Sequence, residues 1–127
     1  MAHRSRLAGL IIDCQAPDPR AATRFWAAAL GSGAAPEGEP ETARYWRLDP
    51  QGGLHVEVQA VDHPSRVHLD IESDDIPAEV ARLEALGARV IDRISTWVVM
   101  EAPTGHRFCV IRSQTADFDA RATTWED

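Results

Sequence analysis

Residues 66–88 read RVHLDIESDDIPAEVARLEALGA, and this stretch decides the fold that the sequence predicts. In residues 66–72 polar and apolar side chains alternate, which is typical of a strand with two different faces. His68 and Asp70 fall on the same face of that strand. The stretch therefore predicts a half-buried strand that presents an imidazole and a carboxylate on one side.

The second part of the same stretch predicts a helix. Residues 73–75 are Ser-Asp-Asp, side chains that accept hydrogen bonds from the free N–H groups at a helix start. An apolar stripe at helical spacing then runs over residues 76–86. Gly87 follows, and glycine readily adopts the left-handed conformation in which many helices end.

The same plan occurs earlier in the chain. Residues 7–14, LAGLIIDC, are a short apolar run that predicts a buried strand. Asp18-Pro19 suits a helix start, and a helix is predicted over residues 19–30. Gly31 ends this helix as Gly87 ends the later one.

The spacing of these features predicts an internal duplication. Gly31 and Gly87 lie 56 residues apart, and the turns DPQG at 49–52 and APTG at 102–105 lie 53 residues apart. Strand–helix–strand order alone is common, but agreement in strand, cap, helix end and turn favours two copies of a βαβββ unit. The remaining strands are predicted at residues 43–48, 54–61, 88–91, 96–101 and 107–112.

Two such units predict one α+β domain with a cupped mixed sheet and the helices on its outer face. Module one spans about residues 7–62 and module two about 65–112, while residues 113–127 form a polar tail. Because each helix covers only one face of its strands, a ligand cavity is expected on the uncovered face, between the modules.

Composition excludes several classes of protein. The 127 residues include 20 acidic and 13 basic side chains, a net charge of −7 that disfavours a nucleic-acid partner. No apolar run approaches the roughly 20 residues of a membrane helix, and no secretory signal is evident, so we expect a cytoplasmic protein without a membrane partner. The two cysteines lack the spacing of a sequence-local zinc site and are expected to be reduced.

The strand at residues 54–61 carries the first candidate site residues. Glu57 and Gln59 share one face, and valines occupy the other. Burying a carboxylate without a partner is costly, so Glu57 is expected to reach His68, an arginine, an ion or cavity water.

Aromatic side chains on strands are candidates for the cavity lining. Trp46 and Trp97 are predicted to stack on a flat ligand, although plain packing fits them equally well. His3 and His63 lie near a terminus and in a loop, where solvent exposure is expected.

Taken together, these motifs resemble a known superfamily. The AspPro-led helix with Phe-Trp and Leu-Gly, the Arg-Val-His-Leu-Asp strand and the closing Pro-x-Gly-x-x-Phe-Cys-Val are similar to the vicinal oxygen chelate superfamily. Within it the chain most resembles glyoxalase-like domains of the glyoxalase/bleomycin resistance protein/dioxygenase group. The resemblance covers about residues 7–112, but it says little about the reaction, because a fold does not determine a function.

The resemblance implies a metal site built from four positions. His68 occupies a ligand position, and Ile11, which cannot bind a metal, occupies its counterpart in module one. Glu57 matches the position at the end of module one, with Gln59 as the alternative. Cys109 stands where the family usually has a glutamate. His68, Glu57 and Cys109 are thus the implied ligands.

The implied cofactor is one divalent metal (Zn, Mn, Ni or Fe), and otherwise none. A thiol favours zinc and disfavours harder ions. The alternative for Cys109 is a small buried apolar residue. Asp13 and Asp70 are expected to accept hydrogen bonds from the turns that follow their strands.

The resemblance leaves two functions open. One is a lyase or isomerase that acts on a carbonyl substrate, with His68 and Glu57 as proton carriers or ligands. A dioxygenase is disfavoured, because the metal triad is incomplete. The alternative is metal-free sequestration of an aromatic or cationic compound, as in drug resistance. A homodimer is also implied, with Phe118 and Trp125 of the tail as candidates for its interface.

Overall fold

The computed structural model describes residues 2–126, and two βαβββ units followed by a short tail make up this part of the chain. The elements in chain order are β1 (His3–Gln15), α1 (Arg20–Leu30), β2 (Ala34–Pro36), β3 (Tyr45–Leu48), β4 (His55–Val61), β5 (Arg66–Ser73), α2 (Ile76–Ala85), β6 (Arg89–Ile94), β7 (Trp97–Glu101), β8 (Arg107–Arg112), α3 (Phe118–Arg121) and β9 (Thr123–Trp125). The α+β class is confirmed.

Three regions differ from the sequence prediction. Strand β1 begins at His3, four residues before the apolar run that predicted it. Strand β2 lies in a segment predicted as a loop and pairs with β3. The tail contains α3 and β9, for which the sequence carries no clear pattern.

By its internal contacts the chain divides into two compact units, whose bounds differ from those of the two βαβββ repeats. The terms first unit and second unit refer to these two compact units. The first unit, Leu10–Val67, contains β3 paired antiparallel with both β2 and β4. Its core lies beneath α1, where Trp26 packs against strand residues. The buried members of this core are Cys14, Leu48, Val56 and Val58.

The second unit contains residues 2–9 and 68–126. Strand β5 runs parallel to β8, β8 pairs antiparallel with β7, and β7 pairs antiparallel with β6. Helix α2 covers one face of these strands. The buried core between them consists of Val80, Leu83, Val98, Met100, Phe108 and Val110.

The helix ends show which capping predictions hold. Asp75 caps α2, because its side chain accepts the Ala78 N–H at 3.1 Å. Gly87 has φ +107°, and a Cβ there would meet Pro103 at 3.0 Å, so this position requires glycine. At the start of α1 the side chain of Asp18 accepts the Arg20 N–H at 3.0 Å, as predicted, and Pro19 directly precedes the helix. Within residues 2–126, no helix combines the length and apolar character needed to cross a membrane.

His3 is buried rather than exposed, contrary to the sequence prediction. It is 2% exposed, and its Nε2 lies 2.8 Å from Oε1 of Glu79, which is itself 0% exposed. Arg82 donates two hydrogen bonds to the same carboxylate, at 2.8 and 2.7 Å. Burial tends to raise the pKa of Glu79, but hydrogen bonds from Arg82, His3 and Ser5 together hold that pKa below its usual value.

This network predicts how stability depends on pH. A carboxyl whose pKa is lower in the folded protein stabilises it fully above the unfolded pKa of about 4.3, and that contribution is lost as pH falls through the lower folded value. We therefore expect urea unfolding to show a larger loss of stability between pH 7 and pH 3 for the wild type than for Glu79→Gln. Equal losses in the two proteins would contradict this assignment.

The tail packs onto the second unit of its own chain. Phe118 is buried beneath the guanidinium of Arg4, 5.6 Å from the ring centroid. The indole of Trp125 donates to Ser5 Oγ at 2.8 Å and lies under Arg82, 3.8 Å away. These two aromatic residues therefore have partners within one copy, and their place in a dimer interface stays a prediction. The homodimer itself stays a prediction.

Candidate functional site

The candidate site lies on the face of the second unit that α2 does not cover. Along β8, Phe108 and Val110 point into the core, so Cys109 between them points to the opposite face. Cys109 is in register with Asp70 of the parallel strand β5. His68 lies two residues before Asp70 and shares its face.

Three potential ligand groups meet on this face. One nitrogen of His68, one carboxylate oxygen of Asp70 and the sulfur of Cys109 all lie within 4.8 Å of one another. His68 Nε2 is 3.6 Å from Asp70 Oδ1, and these side chains are 14% and 10% exposed. The side chains of His68 and Asp70 are therefore mostly buried but still accessible to a small molecule.

The donor set fits zinc. An imidazole nitrogen, a carboxylate oxygen and a thiolate are ordinary zinc ligands, and three protein ligands leave the open fourth position of a catalytic site. In a tetrahedral zinc site donor atoms lie roughly 3.3–3.8 Å apart, so small side-chain rotations would bring this group together. The thiolate makes Mg²⁺ and Mn²⁺ poor candidates.

Asp70 was expected to cap a turn, and the structure places it differently. Strand β5 continues to Ser73, so Asp70 lies inside the strand and its carboxylate faces His68. Alternation along residues 66–72 already put these two side chains on one face. What the sequence could not show was that the register of β5 with β8 brings Cys109 to the same place.

The next carboxylate on this face is already engaged. Glu72 is 0% exposed and accepts backbone hydrogen bonds from Gln114 at 2.7 Å and Thr115 at 3.0 Å, as well as one from the Thr115 hydroxyl. Arg6 Nε lies 3.7 Å from its other oxygen. Glu72 therefore holds the tail.

Three charged side chains, Arg89, Glu101 and Arg107, form a row on the same face as the group of His68, Asp70 and Cys109. Glu101 of β7 accepts hydrogen bonds from Arg89 of β6 at 2.8 and 3.1 Å and from Arg107 of β8 at 3.1 Å. These hydrogen bonds, with that of Arg89 the larger contribution, lower the pKa of Glu101. The row carries two positive charges and one negative charge.

Trp97 shares this face. Val99 is in register with Cys109, and Trp97 lies two residues before it on β7. The side chain of Trp97 is half-buried. The role of Trp97 in lining a ligand cavity stays a prediction.

The remaining predicted residues lie in the first unit. Glu57 is half-buried, in register with Arg47, and stays a predicted acid–base group and ligand. Gln59 donates to the Tyr45 hydroxyl at 2.8 Å. Ile11 is 3% exposed, as an apolar residue in a strand should be.

Trp46 lies on the other face of the first unit from Glu57 and Gln59. It is in register with Val58, a core residue beneath α1. A cavity of about 170 Å³ opens beside it. Its lining residues are Arg20, Thr23, Arg24, Ala27, Ala34 and Trp46.

Comparison with known proteins supports a family assignment. The family model described as a glyoxalase-like domain matches residues 9–111. No curated protein matches the chain.

Solved structures show the fold. A hypothetical protein, BH1468 from Bacillus halodurans C-125, is 13% identical, with a TM-score of 0.60 over 87% of this chain and 97% of that one. A methylmalonyl-CoA epimerase in complex with methylmalonyl-CoA and NH4+ is 18% identical, with a TM-score of 0.57 over 87% and 95%. A glyoxalase/bleomycin resistance protein/dioxygenase superfamily member from Vibrio splendidus 12B01 is 17% identical, with a TM-score of 0.55 over 86% and 99%.

Proposed function

The chain belongs to the glyoxalase-like domain family, and from this premise we propose that it is a zinc-dependent lyase or isomerase acting on a small carbonyl compound. The observation that carries the proposal is the group formed by His68, Asp70 and Cys109, whose donor atoms lie within 4.8 Å of one another. This ligand set replaces the one implied by the resemblance, with Asp70 in place of Glu57.

The residues suit proton transfer beside a carbonyl. Enolisation needs a base for the proton on the carbon next to the carbonyl, and a carboxylate beside the metal can take that role. Asp70, whose Oδ1 lies 3.6 Å from His68 Nε2, would hold zinc through one carboxylate oxygen and accept this proton at the other, while His68 serves as a ligand. When bound, zinc supplies a Lewis acid that polarises the carbonyl oxygen. Oxygen chemistry is disfavoured, because a facial triad of two histidines and one carboxylate is not assembled here.

The proposal predicts the metal content of defined variants. Wild-type protein purified under reducing conditions should carry about one zinc per chain, and His68→Ala, Asp70→Ala and Cys109→Ala should each lose nearly all of it, because three ligands are the minimum of a catalytic zinc site. Metal analysis by mass spectrometry, together with circular dichroism to verify folding, measures this.

Two controls separate the ligand sets. His63→Ala removes a half-buried imidazole from a loop and should leave zinc unchanged. Glu57→Gln should also retain zinc, whereas its loss in that variant would return Glu57 to the ligand set and overturn the assignment of Asp70.

Metal-free sequestration of an aromatic or cationic compound is the second candidate. It is favoured by Ile11, a 3% exposed apolar residue at a family ligand position, and by half-buried Trp97 beside the cluster. A wild-type protein that binds no metal, and whose Trp97 fluorescence is quenched by N-methylacridinium, would establish this function and overturn the enzymatic one.

A further inference from the structure

We propose that Arg107 is the specificity-determining residue of this site and that the substrate is therefore a carbonyl compound with a carboxylate, of the 2-oxo acid class. The inference rests on the proposed function, because it places the carbonyl at His68, Asp70 and Cys109. It adds the chemical class of the substrate and the residue that selects it.

Arg107 lies beside the cluster on the same face. It precedes Cys109 by two residues on β8, and both point away from the core side chain of Phe108. The parallel register pairs Leu69 with Phe108, so His68 and Arg107, one residue earlier on each strand, are neighbours. Adjacent strands lie about 4.8 Å apart, so one small molecule spans both side chains.

The guanidinium of Arg107 has hydrogen-bonding capacity to spare. Its Nε donates to Glu101 at 3.1 Å, and within residues 2–126 its two outer nitrogens make no hydrogen bond. The side chain is 34% exposed. The fork of a guanidinium matches the two oxygens of a carboxylate, and a paired contact of this kind fixes both position and orientation.

The net charge of the row formed by Arg89, Glu101 and Arg107 also favours the binding of one anionic group. Glu101 is shared by Arg89 and Arg107, which leaves one positive charge unbalanced. Arg89 lies two strands farther from β5, is 69% exposed and directs two nitrogens at Glu101. Arg107 is therefore the arginine placed to bind a substrate, and Arg89 is its natural control.

Oxamate provides the test, because it resembles a 2-oxo acid but cannot enolise, and ethyl oxamate is its uncharged counterpart. Calorimetric titration of the wild type should give at least about tenfold tighter binding of oxamate than of ethyl oxamate, as expected for charge-assisted hydrogen bonds. Arg107→Gln should bring that ratio close to one, whereas Arg89→Gln should leave it within about twofold of the wild type.

The outcomes separate this inference from the proposed function. Each titration is run on protein as purified and after EDTA treatment, and zinc is measured in each variant. The inference is supported if Arg107→Gln keeps the zinc content of the wild type but binds oxamate and ethyl oxamate with similar affinity. A ratio preserved in that variant, or no saturable binding of oxamate by the wild type, overturns it. Inorganic phosphate that displaces oxamate with equal affinity would overturn the carboxylate assignment in favour of a phosphate. A wild type that lacks zinc but keeps an Arg107-dependent ratio would refute the zinc enzyme alone.

Discussion

Replacing Glu79 with alanine is expected to lower the free energy of unfolding by about 3–5 kcal/mol, the usual cost of breaking a buried ionic network. The carboxylate is fully buried, its contact with His3 at 2.8 Å joins α2 to β1, and Arg82 of the same helix donates to it at 2.7 Å. Without it, the buried imidazole of His3 loses this acceptor, and Arg82 loses the anchor that holds it over Trp125. Urea unfolding at pH 7 measures the effect.

The control for this variant lies on the same helix. Glu84 is exposed, so Glu84→Ala should change the unfolding free energy by less than about 0.5 kcal/mol. Glu79→Gln keeps one acceptor oxygen and should fall between the two. A loss below about 1 kcal/mol in Glu79→Ala would show that the network contributes little beyond a surface ion pair.

Replacing Glu72 with alanine should release the tail and destabilise the protein by about 2–4 kcal/mol, because the N–H groups of Gln114 and Thr115 would lose their buried charged acceptor. Arg6 would lose a partner as well, although it keeps Asp117 at 2.9 Å. We expect limited proteolysis to cleave near residue 113 well before the remaining domain is degraded.

Asp119→Ala is the matched control in the tail. The Asp119 side chain is 97% exposed and pairs with Arg4 at 3.3 Å, so removing it should cost less than about 1 kcal/mol and leave the proteolysis pattern unchanged. If Glu72→Ala and Asp119→Ala behave alike, the tail is held by its aromatic contacts and not by the buried carboxylate.

The local features of the fold were accessible from the sequence. The capping of α2 by Asp75 and the glycine at position 87 follow from residue type and position, and both are observed. The alternation of β5 placed His68 and Asp70 on one face. Periodicity failed for Phe25: the sequence predicts that an apolar stripe along α1 is buried, and Phe25 belongs to that stripe with Ala22, Trp26, Ala29 and Leu30, yet it is 62% exposed. The stripe predicts which residues face a core, but not how far that core extends.

Only some residues of the candidate site could be predicted from the sequence. Cys109 and His68 were identified through the resemblance, and the group of three potential ligands that the structure brings together contains both. Arg107 was passed over, because an arginine at a strand start is ordinary on a surface. Its neighbour Glu101 lies six residues away on the adjacent strand β7, but His68 comes from β5, 39 residues earlier in the chain.

By itself the sequence determined the duplicated plan of strands and helices apart from strand β2, the ends of α1 and α2, and the side of each predicted strand on which a residue lies. All of these depend on interactions between residues a few positions apart. Only the tertiary structure decided that Asp70 meets Cys109, that His3 is buried against Glu79 and that Glu72 holds the tail. These contacts join segments separated by tens of residues, and the register between strands and the space left by packing determine them, neither of which a local pattern encodes.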